Sequence, residues 1–187
     1  HRDDWGAIMH LRLEGRHNAF ALGGEFKNGS IDGGDHYVTS TDEVLNKGSI
    51  RILSVFAQDE LSLFNKKIWL QVALRYDNAY FHKGWFEANG ENVSDFNTYN
   101  GKLKNNRWEH LSPRVALRYN PTRAISAYIS YSQGFRASIL DDLCRSGRMW
   151  VGPKIANPEL GPEQIDNYEI GGTFRLTKNL SFSPSLY

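Results

Sequence analysis

Ala124-Ile125-Ser126-Ala127-Tyr128-Ile129-Ser130-Tyr131-Ser132-Gln133-Gly134-Phe135-Arg136-Ala137-Ser138 alternates without a break through its first half. Ile125, Ala127, Ile129 and Tyr131 fall on one side, and Ser126, Tyr128, Ser130 and Ser132 on the other. A repeat of two marks a strand with one side in an apolar medium and the other in water. Farther on, Tyr168, Ile170, Gly172, Phe174 and Leu176 oppose Asn167, Glu169, Gly171, Thr173 and Arg175 in the same way. Strand, long connection, strand is therefore the unit, with residues 136–163 as the connection.

The unit recurs upstream. Trp5, Ala7, Met9, Leu11 and Leu13 oppose Gly6, Ile8, His10, Arg12 and Glu14, and Gly15-Arg16 predicts a tight turn. Phe20, Leu22, Gly24 and Phe26 then oppose Ala19, Ala21, Gly23 and Glu25. Residues 28–49, rich in Gly, Asp, Thr and Asn, predict a loop. Within it Asp32-Gly33-Gly34-Asp35 fails the full calcium-loop pattern and predicts a turn. Leu53, Val55 and Ala57 against Ser54, Phe56, Gln58 and Glu60 predict a third strand, reversed by Phe64-Asn65-Lys66.

Residues 67–77 alternate most cleanly, with Ile68, Leu70, Val72, Leu74 and Tyr76 against Lys67, Trp69, Gln71, Ala73, Arg75 and Asp77. Turning Arg75 into lipid would cost ~2–4 kcal/mol near a bilayer midplane, which pins the register. Residues 78–107 predict a long polar and aromatic loop. Val115, Leu117 and Tyr119 then oppose Arg114, Ala116 and Arg118, and Asn120-Pro121-Thr122-Arg123 predicts a turn. Thr177-Lys178-Asn179 leads into a last strand over 180–187, whose middle is weakened by Pro184.

The connections alternate short and long: 15–16, 28–49, 64–66, 78–107, 120–123, 136–163 and 177–179. An up-and-down meander puts successive turns at opposite ends, so the short turns share one end and the long loops the other. Outer-membrane barrels have this asymmetry, whereas soluble sandwiches have no reason to sort loop length. The expected fold is all-β, with antiparallel up-and-down strands forming part of a transmembrane β-barrel.

The 187 residues are 40% hydrophobic and 13% aromatic with a formal net charge of +1. Such aromatic content argues against disorder, and near-neutral charge leaves no electrostatic footprint for nucleic acid. No run approaches the ~18 apolar residues of a membrane helix. Cys144 is the single cysteine, so no disulfide forms within the chain. Histidines at 1, 10, 17, 36, 82 and 110 lack zinc-type spacing, and no nucleophile elbow, phosphate loop or dinucleotide fingerprint occurs. No metal, cofactor or enzymatic activity is expected.

Tyr131-Ser132-Gln133-Gly134-Phe135-Arg136-Ala137, then Asp141-Asp142-Leu143, Asn157-Pro158-Glu159-Leu160, Pro162-Glu163 and Asn167-Tyr168-Glu169-Ile170-Gly171, resembles the late barrel of TonB-dependent outer-membrane receptors. The resemblance implies a Gram-negative outer-membrane protein that binds a scarce nutrient outside and imports it with energy relayed through TonB. A ferric siderophore is the first expectation for the ligand and cobalamin the second, with glycan import open. The implied mechanism is ligand capture by the extracellular loops followed by plug rearrangement, with no covalent chemistry. The implied partners are the lipid bilayer, TonB, and the protein's own plug domain and remaining barrel strands.

Eight strands could close a small barrel with a structural or adhesive role, which is the alternative. Against closure stand the bulk of Trp69, Tyr128, Arg75, Arg114 and Arg118 on the wet side and the serines at 181, 183 and 185 before Tyr187, where a complete outer-membrane chain would alternate apolar and aromatic residues. The matching region also lies well before the end of a typical family member. The whole of 1–187 is therefore expected to be one partial barrel domain, lacking plug and remaining strands. A soluble all-β module is a third reading, with its apolar stripes packed on each other.

Two sets of candidate residues follow. Arg136, beside Phe135, with Arg145, Arg148 and Lys154, could make an electropositive mouth for an anionic chelate, or be solvated loop charge countered by Asp141, Asp142, Glu159 and Glu163. Trp150, with Trp85, Phe86, Tyr99 and Trp108, could stack on planar ligand rings or belong to an interfacial girdle. On the wet side Arg12, Glu25, Arg75, Arg114 and Arg118 could meet a plug domain, as the resemblance implies, or pair along the wall. Phe135-Arg136-Ala137 and Asn157-Pro158-Glu159-Leu160 resemble boxes that flank a ligand histidine in haem receptors, but no histidine lies between them, which disfavours haem.

Overall fold

The alternating stretches form one antiparallel sheet in a computed structural model that describes residues 1–38, 40–93, 99–149 and 152–187, with backbone alone at 148–149. In chain order the elements are β1 (Arg2–Glu14), β2 (Asn18–His36), β3 (Glu43–Leu63), β4 (Ile68–Asn89), β5 (Gly101–Lys102), β6 (Asn106–Tyr119), β7 (Ile125–Arg136), α1 (Leu140–Cys144), β8 (Gly147–Met149), β9 (Gly152–Lys154), β10 (Glu163–Arg175), β11 (Ser181–Phe182) and β12 (Ser185–Leu186). The sheet runs β1-β2-β3-β4-β6-β7-β10, with β11 and β12 both on the far side of β10. β5 pairs antiparallel with the outer part of β4, and β8 and β9 form a separate two-stranded ribbon. β1 and β11 are the ends of this order, so the sheet is open.

Register carries each predicted face across the whole sheet. One row reads Leu22, Ala57, Leu74, Pro113; a second reads Leu61, Leu70, Leu117, Ile129, Ile170, Leu186. The opposite face carries Glu25, Ser54, Asp77 and His110 in one row and Trp69, Arg118, Tyr128 and Gly171 in another. Among the described residues nothing forms a second layer on the apolar face, and Met9 and Ile129 are 81% and 55% exposed. Along β4 this stripe runs from Ile68 to Tyr76, and at ~3.3 Å per residue with ~40° of tilt it stands ~20 Å tall, near the height of a barrel's lipid band.

Three expectations need correction. Residues 28–49 and 78–107 are not mainly loop: β2 continues to His36, β3 begins at Glu43, β4 continues to Asn89 and β6 begins at Asn106. Asp32-Gly33-Gly34-Asp35 is accordingly strand, paired with Val44 to Lys47. Above the lipid band the outward face needs no apolar residues, and the inward ones, Phe81 and Phe86, change parity, so the ladder persists while its period-two signature vanishes. The first outer connection thus shrinks to 37–42, barely longer than the turns at the other end, while 90–105 and 137–162 remain long.

Two local irregularities shape the outer end. Between the pairs Ser49–His82 and Lys47–Trp85, Gly48 stands alone against Lys83 and Gly84, and Lys83 takes φ +57. This bulge shifts β4 by one residue, so Phe81 and Phe86 both point to the inner side. Pro113 sits where the β6–β7 ladder stops, since pairing covers only Arg114–Tyr119 of β6 while β7 continues to Arg136 against β10. At the other end Pro184 divides the last strand as predicted; its carbonyl still accepts from the Gly172 N–H at 3.0 Å, but it has no N–H to return.

Candidate functional site

The connection 137–162 folds back over the polar face at the outer end instead of standing clear of it. α1 packs on β2, β3 and β4, and Leu140, Leu143 and Cys144 close a core with Phe81, Ile31, Ile50 and Trp108. Gly48 allows this approach: a Cβ there would lie 2.7 Å from Cys144 Sγ and 2.8 Å from its Cβ. Beside it Asn46 clamps the loop. Its Nδ2 donates to the Ser146 carbonyl at 3.2 Å, its Oδ1 accepts from the Ser146 N–H at 2.8 Å, and Ser146 Oγ accepts from the Ala156 N–H at 2.8 Å. A second core of Val44, Phe86, Ala88 and Val93 lies farther out, with Ile155 against it. Burial pushes the Cys144 thiol up to about 12, with the Asp141 charge adding to the shift, so it is an inert packing group.

The loop candidates are placed singly. Arg136 pairs with Glu163 at 3.1 Å, Arg145 approaches Asp35 at 3.5 Å and Lys154 holds Asp142 at 2.7 Å. Phe135 stacks on His110, centroids 5.2 Å apart, across the gap left above Pro113. The Arg148 side chain and Trp150 lie outside the described residues. Phe86 is fully buried and Trp108 packs on the α1 core, so neither is open to a ligand, whereas Trp85 and Tyr99 are exposed. The second box is held at the neck of the loop, where Ser138 Oγ lies 3.0 and 2.7 Å from the carbonyl oxygens of Leu160 and Gly161, and Asn106 Nδ2 donates to the carbonyl of Pro158.

The inner-wall candidates divide into two groups. Arg75 is a hub: Nε donates to both Asp77 oxygens at 2.9 and 3.0 Å, and Nη2 donates to Glu25 at 2.7 Å and Ser54 Oγ at 2.8 Å. Lys27 joins Glu25 at 2.6 Å, and Arg12 lies between Glu14 and Glu60 at 3.0 and 3.7 Å. Arg114 and Arg118 instead line a recess of about 470 Å³ with Trp69, Gln71, Tyr128 and Glu169. Glu169 there accepts from Tyr128 Oη at 2.6 Å, and among the described residues neither arginine has a carboxylate within ion-pair distance.

Residues 2–187 match the family model described as TonB dependent receptor-like, beta-barrel. The chain belongs to the TonB-dependent receptor β-barrel family. That family consists of Gram-negative outer-membrane transporters, not enzymes. The crystal structure of the ferric yersiniabactin uptake receptor FyuA from Yersinia pestis superposes with a TM-score of 0.60 at 11% identity, over 98% of this chain and 28% of that one. The chain thus spans little more than a quarter of the length of this structural relative, and the likeness shows the fold. No curated protein matches the sequence.

Within this family barrel, sequence reading missed the clamp. Asn46, Gly48 and Ser146 sit in polar runs, and nothing in their spacing couples positions 100 residues apart. The only available signal was Leu140-Asp141-Asp142-Leu143-Cys144, an apolar-edged segment inside a polar loop.

Proposed function

We propose that the parent protein is an outer-membrane uptake receptor for a ferric siderophore, energised through TonB, of which these residues form part of the barrel wall. The family match across residues 2–187 carries this reading, and the fold shared with a ferric-siderophore receptor supports the choice of ligand. The remaining strands would close the two free edges, because unpaired edge groups in hydrocarbon cost several kcal/mol each. The apolar band would meet the bilayer. The polar face would meet the plug domain, with Arg114 and Arg118 the wall cations still available to plug carboxylates. Arg12, Glu25 and Arg75 are already engaged along the wall and serve it chiefly as structure. The ligand would be caught at the outer end, beside the tip of β7 with Phe135 and Arg136 and the connection that carries Arg145 and Lys154, before the plug rearranges.

Ferric-chelate uptake by cells expressing the full-length parent tests the reading. Deleting the gene is expected to lower that uptake. Unchanged iron uptake together with loss of another nutrient, cobalamin first, would reassign the ligand. The self-contained eight-stranded barrel is not favoured, since β1 and β11–β12 do not pair.

A further inference from the structure

The lipid-facing side of β3 holds one residue that hydrocarbon does not suit. Asp59 is the fourth of six outward residues between Leu53 and Leu63, near the middle of the apolar band. Register sets it beside Phe20 of β2 and Val72 of β4, both exposed on the apolar face. No other outward residue is charged along Leu53–Leu63 of β3, Ile68–Tyr76 of β4 or Leu111–Tyr119 of β6. Asp59 Oδ1 is buried and has no hydrogen-bond partner. Asn18, diagonal to it beside Leu61, is the nearest outward donor in register, and its amide leaves Oδ1 unpartnered. An ionisable group at that depth costs free energy unless a donor meets it, and lipid tails offer none. Closing the barrel would not supply one. β3 is paired along both edges, so further strands reach only β1 and β11–β12, and a plug would lie on the opposite face. The donor must come from outside the barrel wall.

We propose that Asp59 marks a contact between two copies of the parent receptor within the membrane, in which the two Asp59 carboxyls hydrogen-bond to each other. The proposal rests on the outer-membrane reading above. Depth and chemistry together identify the occupant as a second copy. A two-fold axis along the bilayer normal sets Asp59 of one copy at the same depth as Asp59 of the other. A carboxylic acid donates its O–H and also accepts, so one protonated member is enough for the pair to satisfy itself without a foreign donor. The surroundings admit close approach. Ala57, next above Asp59 on the outward stripe, and Gly24, one row higher on β2, are small, while Phe20, Leu22, Leu61 and Val72 supply an apolar rim.

Single-molecule photobleaching of the intact parent receptor, reconstituted in phosphatidylcholine vesicles across a series of protein-to-lipid ratios, tests this. The unsubstituted parent is expected to form dimers. D59N, whose amide also donates and accepts, should retain them. D59L should weaken association about ten-fold, the size of an interchain hydrogen bond in a membrane, while leaving the denaturation midpoint unchanged or higher. A57F, which adds bulk only to the lipid-facing surface, should weaken association as much even if D59L inserts poorly. Non-specific apolar association would instead survive D59L, since leucine enlarges the apolar surface. A parent that is monomeric at every ratio, or a D59L variant that associates as tightly as the unsubstituted parent, would overturn the proposal. Vesicle flotation separates the two readings. A parent that never enters bilayers sinks the membrane reading and this one together, whereas an inserted monomer sinks this one alone.

Discussion

At the scale of single residues, Gly48 is the position on which the folded-back loop depends. Its missing Cβ is replaced by Cys144, whose own Cβ is too rigidly held to move aside at low cost. Gly48→Val is therefore expected to cost about 1–3 kcal/mol of loop docking, in the range of overpacked cores. The readout is built in: Cys144 is fully buried, so a maleimide should leave the native parent almost unlabelled and label the Gly48→Val variant at least ten-fold faster. The raised thiol pKa adds a pH dependence of definite sign. Docking strength is complete below the ordinary value of 9.0 and falls as pH climbs from there toward about 12, so protection of Cys144 should fade across that interval. Lys66 makes an opposite case. Phe64, Asn65 and Lys66 all take φ between +51 and +67, and Lys66→Gly should raise the denaturation midpoint of the parent by an amount equal to about 1 kcal/mol.

At the scale of elements, what was legible in the sequence depended on whether a strand lay inside the lipid band. β4 from Ile68 to Asp77 was read residue for residue, because lipid outside and water inside impose a repeat of two. From Asn78 to Asn89 the same strand is polar on its outward side and buries Phe81, Phe86 and Ala88 inward, and the bulge at Lys83 shifts those apolar residues from odd to even positions, so the segment reads as loop. The loop over 136–163 was correctly placed, yet its fold was hidden: its contacts join positions far apart in the chain, as in the Asn46–Ser146 clamp. Of the candidate residues, only the face they share was readable. That Arg75 would gather Glu25, Asp77 and Ser54, while Arg114 and Arg118 would find no acid, follows from register across four strands, which one strand's sequence does not contain. The hub predicts a measurable asymmetry. Arg75→Gln leaves Asp77 without its cation and Glu25 with Lys27 alone, and should cost about 2 kcal/mol, below the range for a fully buried pair because the guanidinium keeps partial exposure. Arg114→Gln strands no carboxylate and should change the urea midpoint of the parent by less than about 0.5 kcal/mol.

At the scale of the whole molecule, the sheet has one apolar face and two unpaired edges, and neither is resolved within these residues. A soluble sandwich would lay its apolar stripes against each other; here they form one continuous surface, with Leu22, Leu74, Ile129 and Ile170 all about half exposed. Contiguous apolar area beyond a few hundred Å² on a soluble monomer is an interaction or aggregation surface, and a free strand edge is a template for another chain. Residues 1–187 expressed alone are therefore expected to precipitate from detergent-free buffer. In detergent they should stay dispersed but exchange their β1 and β11–β12 amides rapidly, while β3 and β4, paired on both sides, stay protected. Size-exclusion chromatography and hydrogen exchange on that segment separate the possibilities. A detergent-free monomer with both edges protected would mean that the stripes pack on each other after all, and the assignment of the apolar face to lipid would fall with it. A dispersed chain with fraying edges would leave the missing strands of the parent barrel as the groups that complete the sheet.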